Sequence, residues 1–140
     1  MDPAGGSPPS RVILVVDDEP GLRRVACATL EREGYTTIEA EGGHQALRLL
    51  EAGGPAIALI LCDIRMPGMD GVELERVVWE RWPGLPVVLM SGEVTREWVA
   101  RLVRERTVSL LRKPFRSDDP IEMVRAALEG DPGTMGCGLA

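Results

Sequence analysis

Four short stretches of this 140-residue chain carry side chains that could do chemistry together: Asp17 with Asp18, then Asp63, Ser91 and Lys113. Carboxylate oxygens are hard donors suited to Mg²⁺ (or Mn²⁺), an ion that keeps several waters and so leaves room for a phosphoryl oxygen. Three carboxylates gathered closely repel one another, which raises pKa values or calls for a cation. An ammonium and a hydroxyl would supply further contacts to a PO₃ group. Phosphoryl transfer is mostly positioning plus charge neutralisation, so this set suffices, with Asp63 as the candidate nucleophile. Lys113 is the one lysine among sixteen Lys and Arg residues. A compact ammonium on a flexible stem differs physically from a planar guanidinium, which makes its placement informative.

These residues can meet only if the chain between them is regular, and it is. Val12, Ile13, Leu14, Val15 and Val16 form a β-branched run that reads as a buried strand, closed by Asp17, Asp18, Glu19 and Pro20. Leu22, Val25, Ala26, Thr29 and Leu30 then recur at helical spacing and predict an inward stripe, stopped by Gly34. A shorter, more polar strand is expected over 36–40 and a second helix over 43–52, with Ala46, Leu47 and Leu50 inward. The apolar run 57–62 predicts a central third strand that hands Asp63 to a Pro/Gly-rich turn through Pro67, Gly68 and Gly71. A third helix over 72–82, a strand over 86–90 before Ser91, and a fourth helix over 93–104 follow. A fifth strand over 107–111 leads to Lys113, and a last helix covers 117–129.

Five β/α units with short loops imply an α/β fold with a parallel sheet and right-handed crossovers. By likeness to known doubly wound folds, we read it as a doubly wound, five-stranded parallel sheet flanked by five helices, a flavodoxin-like three-layer sandwich of order 2-1-3-4-5. In that order strands one, three, four and five are contiguous. Asp17, Asp18, Asp63, Ser91 and Lys113 then share the C-terminal edge of the sheet, where open α/β sheets bind ligands.

Composition narrows the rest. Twenty-two acids against sixteen bases give a net charge of −6 without a basic block, which argues against nucleic acid as a partner. The longest apolar run, from Ala56 to Cys62, is far too short to span a membrane. Residues 1–10 are expected to be a flexible leader rather than a signal peptide, 11–129 one domain, and 130–140 a flexible Gly-rich tail. A cytoplasmic location follows by default. Cys27, Cys62 and Cys137 lack metal-ligand spacing and read as reduced thiols. His44 reads as a surface residue, Trp79 and Trp82 as packing residues, and Trp98 as either core or an exposed anchor.

Val15 through Glu19, Asp63 through Gly71, Met90 through Gly92, and Arg112 through Phe115 together resemble the receiver domain of two-component response regulators. The resemblance covers about residues 11–129. It implies that Asp63 takes a phosphoryl group from a histidine kinase or phosphotransfer protein, and that Asp17, Asp18, Asp63 and the Arg65 backbone carbonyl arrange Mg²⁺. It implies too that Ser91 and Lys113 contact the phosphoryl oxygens, and that the peptide bond before Pro114 is cis. The protein would then be no enzyme beyond its own phosphorylation and dephosphorylation, and would act on an unidentified output protein through protein–protein contacts. The stretches 87–92 and 110–115 also look like receivers of hybrid histidine kinases. Two rivals differ in class. An aspartyl-nucleophile phosphohydrolase usually needs an acid two residues after the nucleophile, where this chain has Arg65 and no cap domain. A receiver-fold interaction module would work without phosphorylation.

Two positions set this chain apart. Many receivers place Tyr or Phe three residues before the lysine, as a partner of the hydroxyl residue in the switch; this chain has Leu110. Arg65 and Glu93 stand two residues after Asp63 and Ser91, where the family tunes phosphoryl lifetime, and their opposite charges suit a pair across the pocket mouth. Leu110 has no ring or phenol hydroxyl to turn, so the switch it shares with Ser91 is predicted to be muted or differently transmitted at the fourth helix, fifth strand and last helix. Chemical shifts recorded with and without a phosphoryl mimic should change little around Leu110; large changes centred there would refute this.

Overall fold

The computed structural model describes residues 11–52, 56–91, 109–112 and 124–128. Five strands, β1 (Val12–Val16), β2 (Thr36–Ala40), β3 (Ile57–Asp63), β4 (Val87–Ser91) and β5 (Ser109–Arg112), form one sheet in the order β2-β1-β3-β4-β5. Every neighbouring pair is parallel. Helices α1 (Pro20–Arg32), α2 (Gly43–Glu51) and α3 (Gly71–Arg81) connect the first four strands, and 124–128 is helical within the last helix expected. The fourth helix expected, over 93–104, lies outside the described residues.

The central strands are apolar on both faces because both faces are covered. Leu14, Val16, Ile60, Cys62 and Leu89 join Ala46 of α2 and Leu74 and Val78 of α3 in one core. Ile13, Val15, Leu59, Leu61, Val88 and Met90 join Ala26, Cys27 and Leu30 of α1 and Val124 in the other. Strand periodicity thus divides one apolar run between two cores, and each fully buried Leu or Ile contributes roughly 1.5–3 kcal/mol. β3, β4 and β5 all extend one residue beyond the ends expected from sequence. Asp63 and Ser91 are therefore the last residues of their strands rather than the first of the loops.

Two packing expectations need correction. Leu22 and Val25 do not face the core; they are 40% and 56% exposed, and α1 buries Ala26, Cys27, Thr29 and Leu30 instead. Small Ala26 and Cys27 give α1 a low face to lay on the sheet, and turning that face inward rotates Leu22 and Val25 outward. Burial is also the main reason the Cys27 thiol is pushed above its usual pKa, which keeps it protonated and inert. Trp79, expected to pack, is half exposed, whereas Trp82 packs against the α2/α3 core. The Arg81 guanidinium lies 4.4 Å from the Trp82 ring centroid and 2.6 Å from a Glu51 oxygen.

The loop 64–70 joins the end of β3 to α3 and is tightly pinned. Ile64 N–H donates to the Met90 carbonyl at 2.9 Å, and Gly71 N–H donates to the Ile64 carbonyl at 2.8 Å. Gly68 turns the loop with φ +75°, a left-handed conformation that favours glycine. Asp70 caps α3: its Oδ1 accepts from Glu73 N–H at 2.9 Å, and Glu73 Oε1 accepts from Asp70 N–H at 3.0 Å. At Gly71 the backbone runs directly over the end of β3. A Cβ there would collide with the Asp63 carbonyl oxygen and stand 2.8 Å from Ile64 Cα.

Chemical denaturation should separate these two devices. Asp70→Ala is expected to cost about 1 kcal/mol, the ordinary value of an N-cap. Gly71→Ala gains helix propensity of at most about 1 kcal/mol, but its overlap with backbone atoms should outweigh that and leave a net loss of about 1–3 kcal/mol. A stabilised Gly71→Ala protein would refute the close packing.

Candidate functional site

Parallel register delivers the acids to one place. Val16 pairs with Cys62, so the next residues, Asp17 and Asp63, leave adjacent strands side by side. Carboxylate oxygens of Asp17, Asp18 and Asp63 all lie within 4.8 Å of one another. Asp17 is 1% exposed and Asp63 8% exposed, while Asp18 faces solvent. Two buried like charges at this separation repel by on the order of 3 kcal/mol at an effective dielectric near 20. A divalent cation would turn that repulsion into attraction. Three converging hard oxygen donors, one of them open to water, fit such an ion.

The backbone around the cluster is firmly held. Asp17 N–H donates to the Ala40 carbonyl of β2 at 3.1 Å, and Glu19 N–H donates to Asp17 Oδ1 at 3.0 Å. The Arg23 guanidinium donates through Nη1 to the Asp17 carbonyl at 2.7 Å and through Nε to Glu39 Oε1 at 2.7 Å. The Asp63 carbonyl accepts from the Cys62 thiol at 3.2 Å, and Gly71 packs against the same carbonyl from α3. Each of these contacts sets a backbone plane from which a carboxylate hangs.

The remaining candidates are placed to different extents. Met90 pairs with Asp63, so Ser91 ends β4 one residue further along, and Ser91 in turn pairs with Arg112, which immediately precedes Lys113. Leu110 pairs with Leu89 in the sheet. The Arg65 side chain is exposed beside the end of β3, and His44 is exposed on α2 as expected. Lys113, Glu93 and Trp98 lie outside the described residues, as do the side chains of Ser91 and Leu110.

Arg23 and Glu39 were not singled out by sequence reasoning, and Gly71 was read only as part of the turn after Asp63. The Arg23–Glu39 pair spans sixteen positions and forms only once β2 lies beside β1. Gly71 did carry a signal, since glycine at the first position of a helix that follows an Asp cap suggests close approach.

Comparisons with known proteins agree with the fold. Residues 13–125 match the family model described as the response regulator receiver domain. The transcriptional regulatory protein GlrR of Escherichia coli K12 is 32% identical over 117 residues, covering 84% of this chain and 26% of that protein. A putative NtrX-like response regulator of Rickettsia bellii is 34% identical over 119 residues, covering 84% and 24%. The chain thus spans about a quarter of the length of these curated relatives. Among solved structures, NtrX from Brucella abortus superimposes with a TM-score of 0.78 at 33% identity, over 86% of this chain and 27% of that one. The signal receiver domain of an HD domain-containing protein from Pseudomonas fluorescens gives 0.77 at 25% identity, over 86% and 96%. With both the fold and the matched span in agreement, this chain belongs to the response regulator receiver domain family.

Proposed function

We propose that residues 11–129 work as a phosphorylation-dependent receiver, with Asp63 as the phosphoacceptor. The observation that carries this reading is the convergence of Asp17, Asp18 and Asp63 oxygens within 4.8 Å at the end of β1 and β3. An Asp63 oxygen attacks the phosphorus of a phosphohistidine on a histidine kinase or phosphotransfer protein. The P–N bond breaks, and the leaving imidazole takes up a proton. Asp17, Asp18, Asp63 and the Arg65 carbonyl would hold Mg²⁺ or Mn²⁺, which when bound offsets charge on the transferring phosphoryl oxygens. The Ser91 hydroxyl and the Lys113 ammonium hold the remaining oxygens, and the burial of Asp63 limits access of water to the acyl phosphate.

Ser91 passes the change outward to an output protein through a switch muted or rerouted at Leu110, and Arg65 with Glu93 sets how long the phosphoryl group lasts. One relative named above, GlrR, is a transcriptional regulatory protein, and a cytoplasmic site of action suits such work. Contact with nucleic acid is not assigned to this domain, whose sequence carries a net charge of −6. Among the described residues no helix is long and apolar enough to cross a membrane.

Incubation with a small acyl phosphate and Mg²⁺, followed by intact mass, tests the central claim. Wild type should gain the mass of one phosphoryl group only when Mg²⁺ is present, and Asp63→Ala should gain none. Wild type without an adduct would favour an interaction module that works unphosphorylated. Arg65→Ala should speed loss of the phosphoryl group by at most about fivefold, because an exposed ion pair is worth no more than about 1 kcal/mol. An unchanged rate would remove Arg65 from lifetime control.

A further inference from the structure

We propose that Arg23 is a positioning residue for the acidic cluster, fixed in turn by Glu39 of β2. This rests on the reading of Asp17 and Asp18 as metal ligands. The peptide plane that carries the Asp17 carbonyl also carries the Asp18 N–H. Whatever holds that plane sets ψ of Asp17 and φ of Asp18, and hence the angle between the two carboxylates. Arg23 Nη1 holds it at 2.7 Å from a side chain that is only 12% exposed.

Arg23 could not do this from a loose rotamer. Its Nε–H is engaged by Glu39 Oε1 at 2.7 Å, and its own N–H by the Glu19 carbonyl at 3.0 Å. Arg24 also approaches Glu39, but at 3.7 Å and 77% exposed it is a surface neighbour of that carboxylate. Glu39 has a second effect. An unpaired guanidinium next to the cluster would compete with a divalent cation for its carboxylates, and the Glu39 charge offsets that competition. β2 therefore serves the site twice, through the Ala40 carbonyl on Asp17 N–H and through Glu39 on Arg23. An edge strand without a ligand of its own orients two ligands of its neighbour. Partners of this kind typically change metal affinity ten- to a hundredfold when removed (about 10–100).

Calorimetric titration with Mg²⁺ alone, beside thermal melting, tests the proposal without a phosphodonor. Arg23→Ala should weaken Mg²⁺ binding about tenfold. Arg23→Lys should fall between Arg23→Ala and wild type, since one ammonium reaches the carbonyl or Glu39 less well than a fork reaches both. The exchanged pair Arg23→Glu with Glu39→Arg can rebuild the ion pair between α1 and β2, but a carboxylate at position 23 cannot donate to the Asp17 carbonyl. Its melting temperature should recover relative to Arg23→Ala while its Mg²⁺ affinity stays low. Affinity that recovers with stability in the exchanged pair, or that stays within about twofold of wild type in Arg23→Ala, would overturn the positioning role. Wild type that fails to bind Mg²⁺ would overturn the metal reading itself, and the inference with it.

Discussion

Repulsion between carboxylates is the constraint on which this structure turns. Asp17, Asp18 and Asp63 would separate in a free chain, and only the paired register of β1 and β3 holds their oxygens within 4.8 Å. The cost is met by the surrounding core, where the four residues before Asp17 in β1 and the four before Asp63 in β3 are fully buried on both faces. Stability is thus spent at one edge of the sheet, where it creates a site with a strong preference for added positive charge.

The arrangement is asymmetric about that edge. On one side β2 and α1 brace the paired acids through hydrogen bonds to the Asp17 backbone, and polar side chains make that brace. On the other side α3 is set against the Asp63 carbonyl by close packing at Gly71, with no side chain between. The first arrangement fixes direction, and the second fixes distance.

How much of this was legible in the sequence depended on the range of the interaction. The central place of the third strand and the position of Asp63 at the end of a buried run followed from hydrophobic patterning, because a strand covered on both faces leaves few polar residues inside it. The strand order, by contrast, came with the resemblance to a known fold. The receiver resemblance was equally readable, since its motifs are local. Leu22 and Val25 were misplaced because helical spacing marks a broad apolar stripe without saying which part of it touches the sheet; Ala26 and Cys27 decided that by their size. Trp79 was misplaced for a related reason, since an apolar ring near a helix end satisfies the period whether or not a neighbour covers it. The Arg23–Glu39 pair was invisible, because neither residue has a local reason to be paired and the contact needs β2 already docked.

The loop after the phosphoacceptor candidate has an evolutionary consequence. Ile64 and Met66 are buried, Gly68 occupies left-handed backbone, Asp70 caps a helix, and Gly71 has no room for a side chain. Arg65 and Pro67 between them are exposed. Lineages that diverge in partner or in timing while keeping this scaffold can change an exposed side chain here more readily than a buried or close-packed one, so paralogues of this chain should differ at position 65 before they differ at Ile64, Met66, Gly68 or Gly71.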